Sequence, residues 1–165
     1  EIYTLSLHDA LPISTAFGYQ LNPNLHITTD FQKFDELTVA AAKATSVVNK
    51  VGLMEKAVEL YQGKLLSSAE GEHWLVHTAS RYHFAYMSTA NELLKQLMTI
   101  HAYDLIHQYA ALALTIAPEN TKAYYWLIQS YLKQNMEEMA TGELVAARQK
   151  LPDEEYQKLL QELKK

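Results

Sequence analysis

From Asp30 to the C-terminus the apolar residues recur three and four positions apart, the spacing that gathers side chains on one face of an α-helix. Asp30 opens the first such segment as an N-cap, and Phe31, Phe34, Leu37, Val39, Ala41 and Ala42 predict a helix to about Val48. Leu53, Ala57, Val58, Leu60 and Tyr61 predict a second, shorter helix, ended by Gly63, a residue free to take the left-handed conformation that stops helices. GKLLSSAEGE, Gly63 to Glu72, reads as a loop. A long helix is expected from about Glu72 to Thr99, anchored by Trp74, Tyr82, Ala85, Tyr86, Leu93, Leu94 and Leu97. Another runs from about Ala102 to Ala117, where Pro118 stops it, because proline lacks the backbone donor a helix interior needs. Glu119–Gln134 and Glu137–Lys150 form the next pair, stopped by Pro152. Asp153–Leu163 closes the set, with acids in its first turn and Lys164-Lys165 past its end, matching the helix dipole.

Ahead of Asp30 the pattern changes. Phe17, Tyr19 and Leu21 alternate, Gly18 permits a bend, and Asn22-Pro23-Asn24 is turn chemistry. One strand cannot make a sheet, so residues 14–29 read as the last strand of a preceding unit followed by a linker. Residues 1–13, EIYTLSLHDALPI, lack the charged start, apolar middle and small-residue cleavage site of a signal peptide. Back-translated, they match the end of a common short-read sequencing adapter codon by codon. They are read as a non-native segment, with the natural chain expected to continue upstream of Ser14.

Composition narrows the class. The chain has 165 residues and a net charge of −5; without Glu1 and Asp9, 17 acids face 14 bases and the balance is −3. Mild acidity and scattered cations, only Arg81 and Arg148 being arginines, argue against direct DNA contact, which needs clustered positive charge. The absence of cysteine excludes disulfides, thiolate metal sites and cysteine nucleophiles, and predicts a cytoplasmic protein. No apolar run approaches the ~20 residues of a membrane helix, so no membrane partner is expected. Five glycines in the whole chain favour helices over a turn-rich β fold.

The repeat decides the architecture. Pro118 and Pro152 are 34 residues apart, the period of tetratricopeptide repeats. In the unit from Thr121, the aromatic of that pattern falls on Tyr124, its Leu on Leu127, its Tyr on Tyr131, its small residues on Ala140 and Ala147, and its terminal proline on Pro152. The preceding unit matches at Leu93, Leu97, Ala113 and Pro118, with Ala90 in place of the aromatic and Ile106 in place of the first alanine. Small residues let paired helices approach while large ones fill the opposite groove. The expectation is an all-α fold of tetratricopeptide-like helical hairpins, about seven helices over residues 30–165, with a short extended N-terminal remnant.

LYQGKLL (Leu60–Leu66), Glu72-x-Trp74, Arg81 and Tyr86 together resemble the bacterial transcriptional activator domain. GYQL (Gly18–Leu21) resembles the final wing strand of a winged helix, and FQKFDELTVAAA (Phe31–Ala42) the first helix after the linker. An aromatic near Leu144 and a Gly-x-x-Pro-Ser tail, usual in that family, are missing. The resemblance implies a tetratricopeptide-like regulatory domain of SARP-type activators, placed behind a winged-helix DNA-binding domain.

Chemistry is sparse. His73 and His77 have the spacing of a two-His zinc site, with Glu70 as a further candidate ligand, but the intervening Trp74-Leu75-Val76 lacks the catalytic Glu of metalloproteases. His83, His101 and His107 show no partner spacing, and His101 falls in a turn. Ser67-Ser68 lacks the glycine elbow of a nucleophile. Glu137-Glu138 and Asp153–Glu155 sit where helix starts attract acids. No catalytic, cofactor or metal residue is assigned, and no enzyme is expected. Arg81 is expected to pair with a carboxylate or to cap the bundle of the Glu72–Thr99 helix.

What remains is a surface. In such repeats the first helix of each hairpin lines a concave groove, here through Ser88, Asn91, Lys95 and Met98, then Lys122, Tyr125, Gln129, Leu132 and Lys133. Aromatic and cationic residues together suit an extended or acidic peptide, or a second copy of the chain. The expected function is a non-catalytic regulatory domain that dimerises or positions an upstream DNA reader, touching DNA only through that reader. The alternative is a free-standing adaptor holding a client peptide.

Overall fold

The computed structural model describes residues 13–16, 18–20, 28–63 and 73–164; for 13–15, 19–20 and 73–75 the backbone alone is described. Two short strands, β1 (Ile13–Thr15) and β2 (Gly18–Gln20), pair antiparallel with Ile13 opposite Gln20 and Thr15 opposite Gly18. A hairpin thus stands where one strand was expected, and Ile13 of the adapter-like segment is one of its partners. Gly18, at φ +129°, takes a backbone conformation that side-chain-bearing residues rarely adopt.

Among the described residues seven helices follow: α1 (Asp30–Lys43), α2 (Val47–Leu60), α3 (His73–Thr99), α4 (Tyr103–Ile116), α5 (Thr121–Lys133), α6 (Glu137–Lys150) and α7 (Asp153–Leu163). The first begins one residue earlier than expected in its cap. Thr29, not Asp30, is the N-cap: its Oγ1 accepts from the Gln32 amide at 3.3 Å while the Thr29 amide donates to Gln32 Oε1 at 3.0 Å. A threonine followed three residues later by glutamine satisfies two orphan amides at once, which Asp30 would not. The first two helices also divide differently. Ala44 turns extended (φ −67°, ψ 128°), so α1 ends at Lys43, and α2 starts at Val47 rather than Leu53. The Ala-Thr-Ser run lets the chain reverse early and lay Val51, Met54, Ala57 and Val58 against Phe34, Leu37 and Ala41; Val39 and Ala42 are left exposed.

The helices pack as successive hairpins, α1 with α2, α3 with α4, α5 with α6, and each pair rests on the next. α3 packs on α5, and α5 on α7, so the first helices of the pairs lie side by side and α7 occupies the next place in that row. α1 joins it through Phe31 and Phe34, whose rings lie 5.6 and 6.2 Å from that of Tyr82. One continuous core results, with Tyr86, Leu93, Leu94, Leu97, Ile106, Ile128 and Leu159 sealed from solvent. The repeat is written in the turns as well. His101 and Asn135 are left-handed (φ 56° and 58°) and stand 34 residues apart. Behind each, the chain closes the same way: Ala102 N to Leu97 O at 3.0 Å, and Met136 N to Tyr131 O at 2.9 Å. These are equivalent helix-terminating motifs in two consecutive repeats. The small residues of the pattern, Ala113, Ala140 and Ala147, are buried at the helix contacts, and so are Ala90 and Ile106, which replace pattern residues in the weaker unit. Leu144, where an aromatic is usual, packs half-buried against the core.

Gly142 lies on the exposed face of α6, and a Cβ there would meet nothing within 4 Å. Gly142→Ala is therefore expected to raise stability by about 0.5–1 kcal/mol, through the lower backbone entropy of alanine in the unfolded chain. Chemical denaturation, read as the transition midpoint, checks it.

Candidate partner-binding groove

Five of the nine groove residues read from the sequence line one cavity; Met98 and Leu132 are not among them. Ser88, Asn91 and Lys95 stand on one stripe of α3, Lys122 and Tyr125 one turn apart on α5, and the cavity between them is about 420 Å³. Gln129, half-buried, and Lys133, exposed in the last turn of α5, lie outside its lining. Sequence reasoning missed Glu92, Trp126 and Glu162, which complete the walls. Glu162 was hidden because α7 follows the last recognisable repeat; its place in the row of first helices brings it to the groove.

The electrostatics of the walls are uneven. Glu92 Oε1 accepts from Lys50 Nζ at 3.0 Å and from Gln96 Nε2 at 2.8 Å, while Lys95 Nζ reaches Glu92 Oε2 at only 3.9 Å. Burial opposes ionisation of Glu92, but the hydrogen bonds from Gln96 and Lys50 and the charge of Lys50 hold its carboxyl below the usual range. Its charge is thus already compensated. Asn91 Oδ1 is buried and accepts no hydrogen bond, at a cost of about 1–3 kcal/mol for such a group. Tyr125 and Trp126 meet edge to face, 4.9 Å between ring centroids, both half-buried.

The other candidate groups take structural places. His107, for which the sequence offered no partner, bonds through Nε2 to the sealed Ser130 Oγ at 3.0 Å and stacks on Tyr131 at 4.3 Å. Its partner sits 23 residues away on α5, beyond any helical spacing. Burial depresses the His107 pKa, against the opposing charge of Asp104. The unfolded chain therefore binds the proton more readily, so stability is full above the ordinary value of 6.5 and falls as pH drops below it towards the folded value. His107→Asn is expected to flatten that fall, measured as the difference between the variant's and the parent's denaturation midpoints at pH 7 and pH 5. His83 Nε2 lies 3.8 Å from Glu119, and His101 Nδ1 lies 3.1 Å from the Tyr103 hydroxyl, in the expected turn. His77 is exposed; the side chain of His73, and Glu70, Ser67 and Ser68, lie outside the described residues. Among the described residues no three His, Asp or Glu groups converge as metal ligands would. Glu137 and Glu138 occupy the first turn of α6, and Asp153 pairs with Arg148.

The family model of the bacterial transcriptional activator domain matches residues 29–165. The chain belongs to that family. It is a regulatory family, not known for catalysis. No curated protein and no solved structure matches the chain. Within the activator domain, the residues that carried the resemblance turn out to build a seam rather than a site. Arg81 of α3 pairs with Asp35 of α1 at 3.3 Å and lies over the Tyr82 ring at 4.2 Å, and the Tyr82 hydroxyl donates to the same carboxylate at 2.9 Å. Tyr61 stacks on the sealed Tyr86 at 4.5 Å, and Gly63 takes φ +129° just after it, where only glycine is unstrained. The side chain of Trp74, and Glu72, lie outside the described residues. No described helix is long and apolar enough to cross a membrane.

Proposed function

We propose that this activator domain is the non-catalytic regulatory and interaction part of a SARP-type bacterial regulator, dimerising or positioning an upstream winged-helix domain so that repeated half-sites are held together. The observation that carries the reading is the family match across residues 29–165. A second feature supports it. Val47, Val48, Ile100, Leu132, Met136 and Met139, all exposed, cluster at the α1–α2, α3–α4 and α5–α6 turns. Each of those turns joins a first helix to a second helix, so in a stack of hairpins they share one edge. An exposed apolar row of this kind is a common mark of protein contact. Linking two DNA readers through such an edge makes the second half-site an intramolecular target, which raises apparent affinity by about 10²–10⁴ without any new DNA contact. Light scattering on the 165-residue chain tests the dimer: twice the 18.8 kDa chain mass is expected, and a monomer at all concentrations removes dimerisation from the mechanism. Met136→Glu, in the α5–α6 turn of the row, is expected to shift a dimer towards monomer.

A further inference from the structure

We infer that two copies of the chain meet edge to edge about a two-fold axis running along the row of turns, so that each turn faces its own counterpart. Lys133 of either copy then pairs with Glu137 and Glu138 of the other. The inference rests on the dimer proposed above and adds its symmetry and the charges that select it.

Every residue from Leu132 to Met139 except Gln134 faces solvent. This turn carries three exposed apolar side chains, Leu132, Met136 and Met139. It also carries Lys133 in the last turn of α5, and Glu137 and Glu138 in the first turn of α6. Among the described residues none of these three has an opposite charge within ion-pair distance. Each sits at the helix end whose dipole favours it. The other two turns are one-signed. The α1–α2 turn has Lys43 and no acid in the first turn of α2, and the α3–α4 turn has Asp104 and no base in the last turn of α3. Of the three, the α5–α6 turn is the one that satisfies its own charges by meeting a copy of itself.

An edge of this kind meets itself about an axis lying across the row or along it. Across the row, first helices face first helices, carboxyl end on carboxyl end, and like dipole charges oppose one another. Centred on the α3–α4 turn, that axis sets Lys43 against the partner's Lys133. Centred between the last two turns, it sets Asp104 against the partner's Glu137 and Glu138. Along the row, the carboxyl end of each first helix faces the amino end of the partner's second helix. Lys133 then meets the partner's Glu137 and Glu138, Leu132 meets the partner's Met136 and Met139, and Ile100, also exposed, faces its own counterpart. Exposed ion pairs add little affinity, so the apolar side chains hold the contact and the charges decide which way round it forms.

Because the three charges are exposed and the chain lacks cysteine, charge reversal and single thiols test the pairing without touching the core. In light scattering on the 165-residue chain, Lys133→Glu is expected to raise the dimer dissociation constant at least tenfold, and so is the double variant Glu137→Lys, Glu138→Lys. Circular dichroism checks the helix content of each. In an equimolar mixture of the two, both contacts again join opposite charges. With one chain ¹⁵N-labelled, native mass spectrometry is expected to show a dimer holding one chain of each kind. As a second measurement, Ile100→Cys and Met136→Cys are each expected to cross-link to their own copy with a short bis-maleimide, and Val145→Cys, exposed further along α6, is not. A dimer that tolerates both charge variants, a mixture without the mixed dimer, or cross-linking at Val145→Cys instead of Met136→Cys overturns the pairing and leaves the dimer standing. A chain monomeric at all concentrations removes both.

Discussion

Tyr86→Ala is expected to cost about 3–5 kcal/mol, the range for emptying a large aromatic site in a core. Tyr86 is fully sealed, stacks on Tyr61 at the end of α2, and lies one turn along α3 from Arg81 and Tyr82, which hold Asp35 of α1. A cavity there removes packing from the first hairpin and from the long helix α3, on which α4 and α5 pack. Tyr86→Phe separates packing from polarity. The Tyr86 hydroxyl is buried without a partner, and burial with the nearby Tyr61 raises its pKa well beyond the ordinary value. Removing an unsatisfied hydroxyl while keeping the ring is expected to leave stability unchanged or raise it by about 1 kcal/mol. Urea denaturation of the two variants against the parent measures both; a loss in Tyr86→Phe approaching that of Tyr86→Ala would mean the hydroxyl, not the ring, holds the seam.

The second large effect is expected at a small residue. Ala147 on α6 is fully buried where α6 meets α5, and it occupies the small-residue position of the repeat. Ala147→Leu adds three carbons to a contact with no room for them, at an expected cost of about 1–3 kcal/mol through displaced helices. Gln149→Leu, on the exposed face of the same helix, is expected to stay within about 0.5 kcal/mol. Equal midpoints for the two leucine variants would mean that α5 and α6 do not approach closely, against the hairpin packing described.

α3 was legible from its length and apolar spacing, and the helices after it from the prolines or acid-bearing first turns beside them; α6 and α7 have the limits expected from sequence. The α1–α2 boundary was not. Alanines carry the helix signal through the Ala-Thr-Ser run as well as they carry it elsewhere, and the reversal is decided by antiparallel packing of α2 on α1, which no local pattern encodes. The 34-residue prolines showed the repeat, but its second marker, left-handed His101 and Asn135, was invisible because neither is glycine. Of the cavity lining, the α3 and α5 positions came from the repeat pattern, which gives the first helix of each hairpin a concave face, together with helical spacing. Trp126 was missed as the neighbour of a chosen residue, and Glu162 because α7 lies beyond the recognisable repeats. His107 illustrates the same limit: its partner Ser130 lies on another helix, and only the fold joins them.

The most direct test of the regulatory account is to place residues 14–165 behind a monomeric winged-helix domain and measure DNA binding to one half-site and to two half-sites one helical turn apart. The account predicts that the paired site is bound at least tenfold more tightly than the single site, and that the winged helix without residues 14–165 shows no such gain. Equal affinities for single and paired sites, with and without the domain, would contradict it.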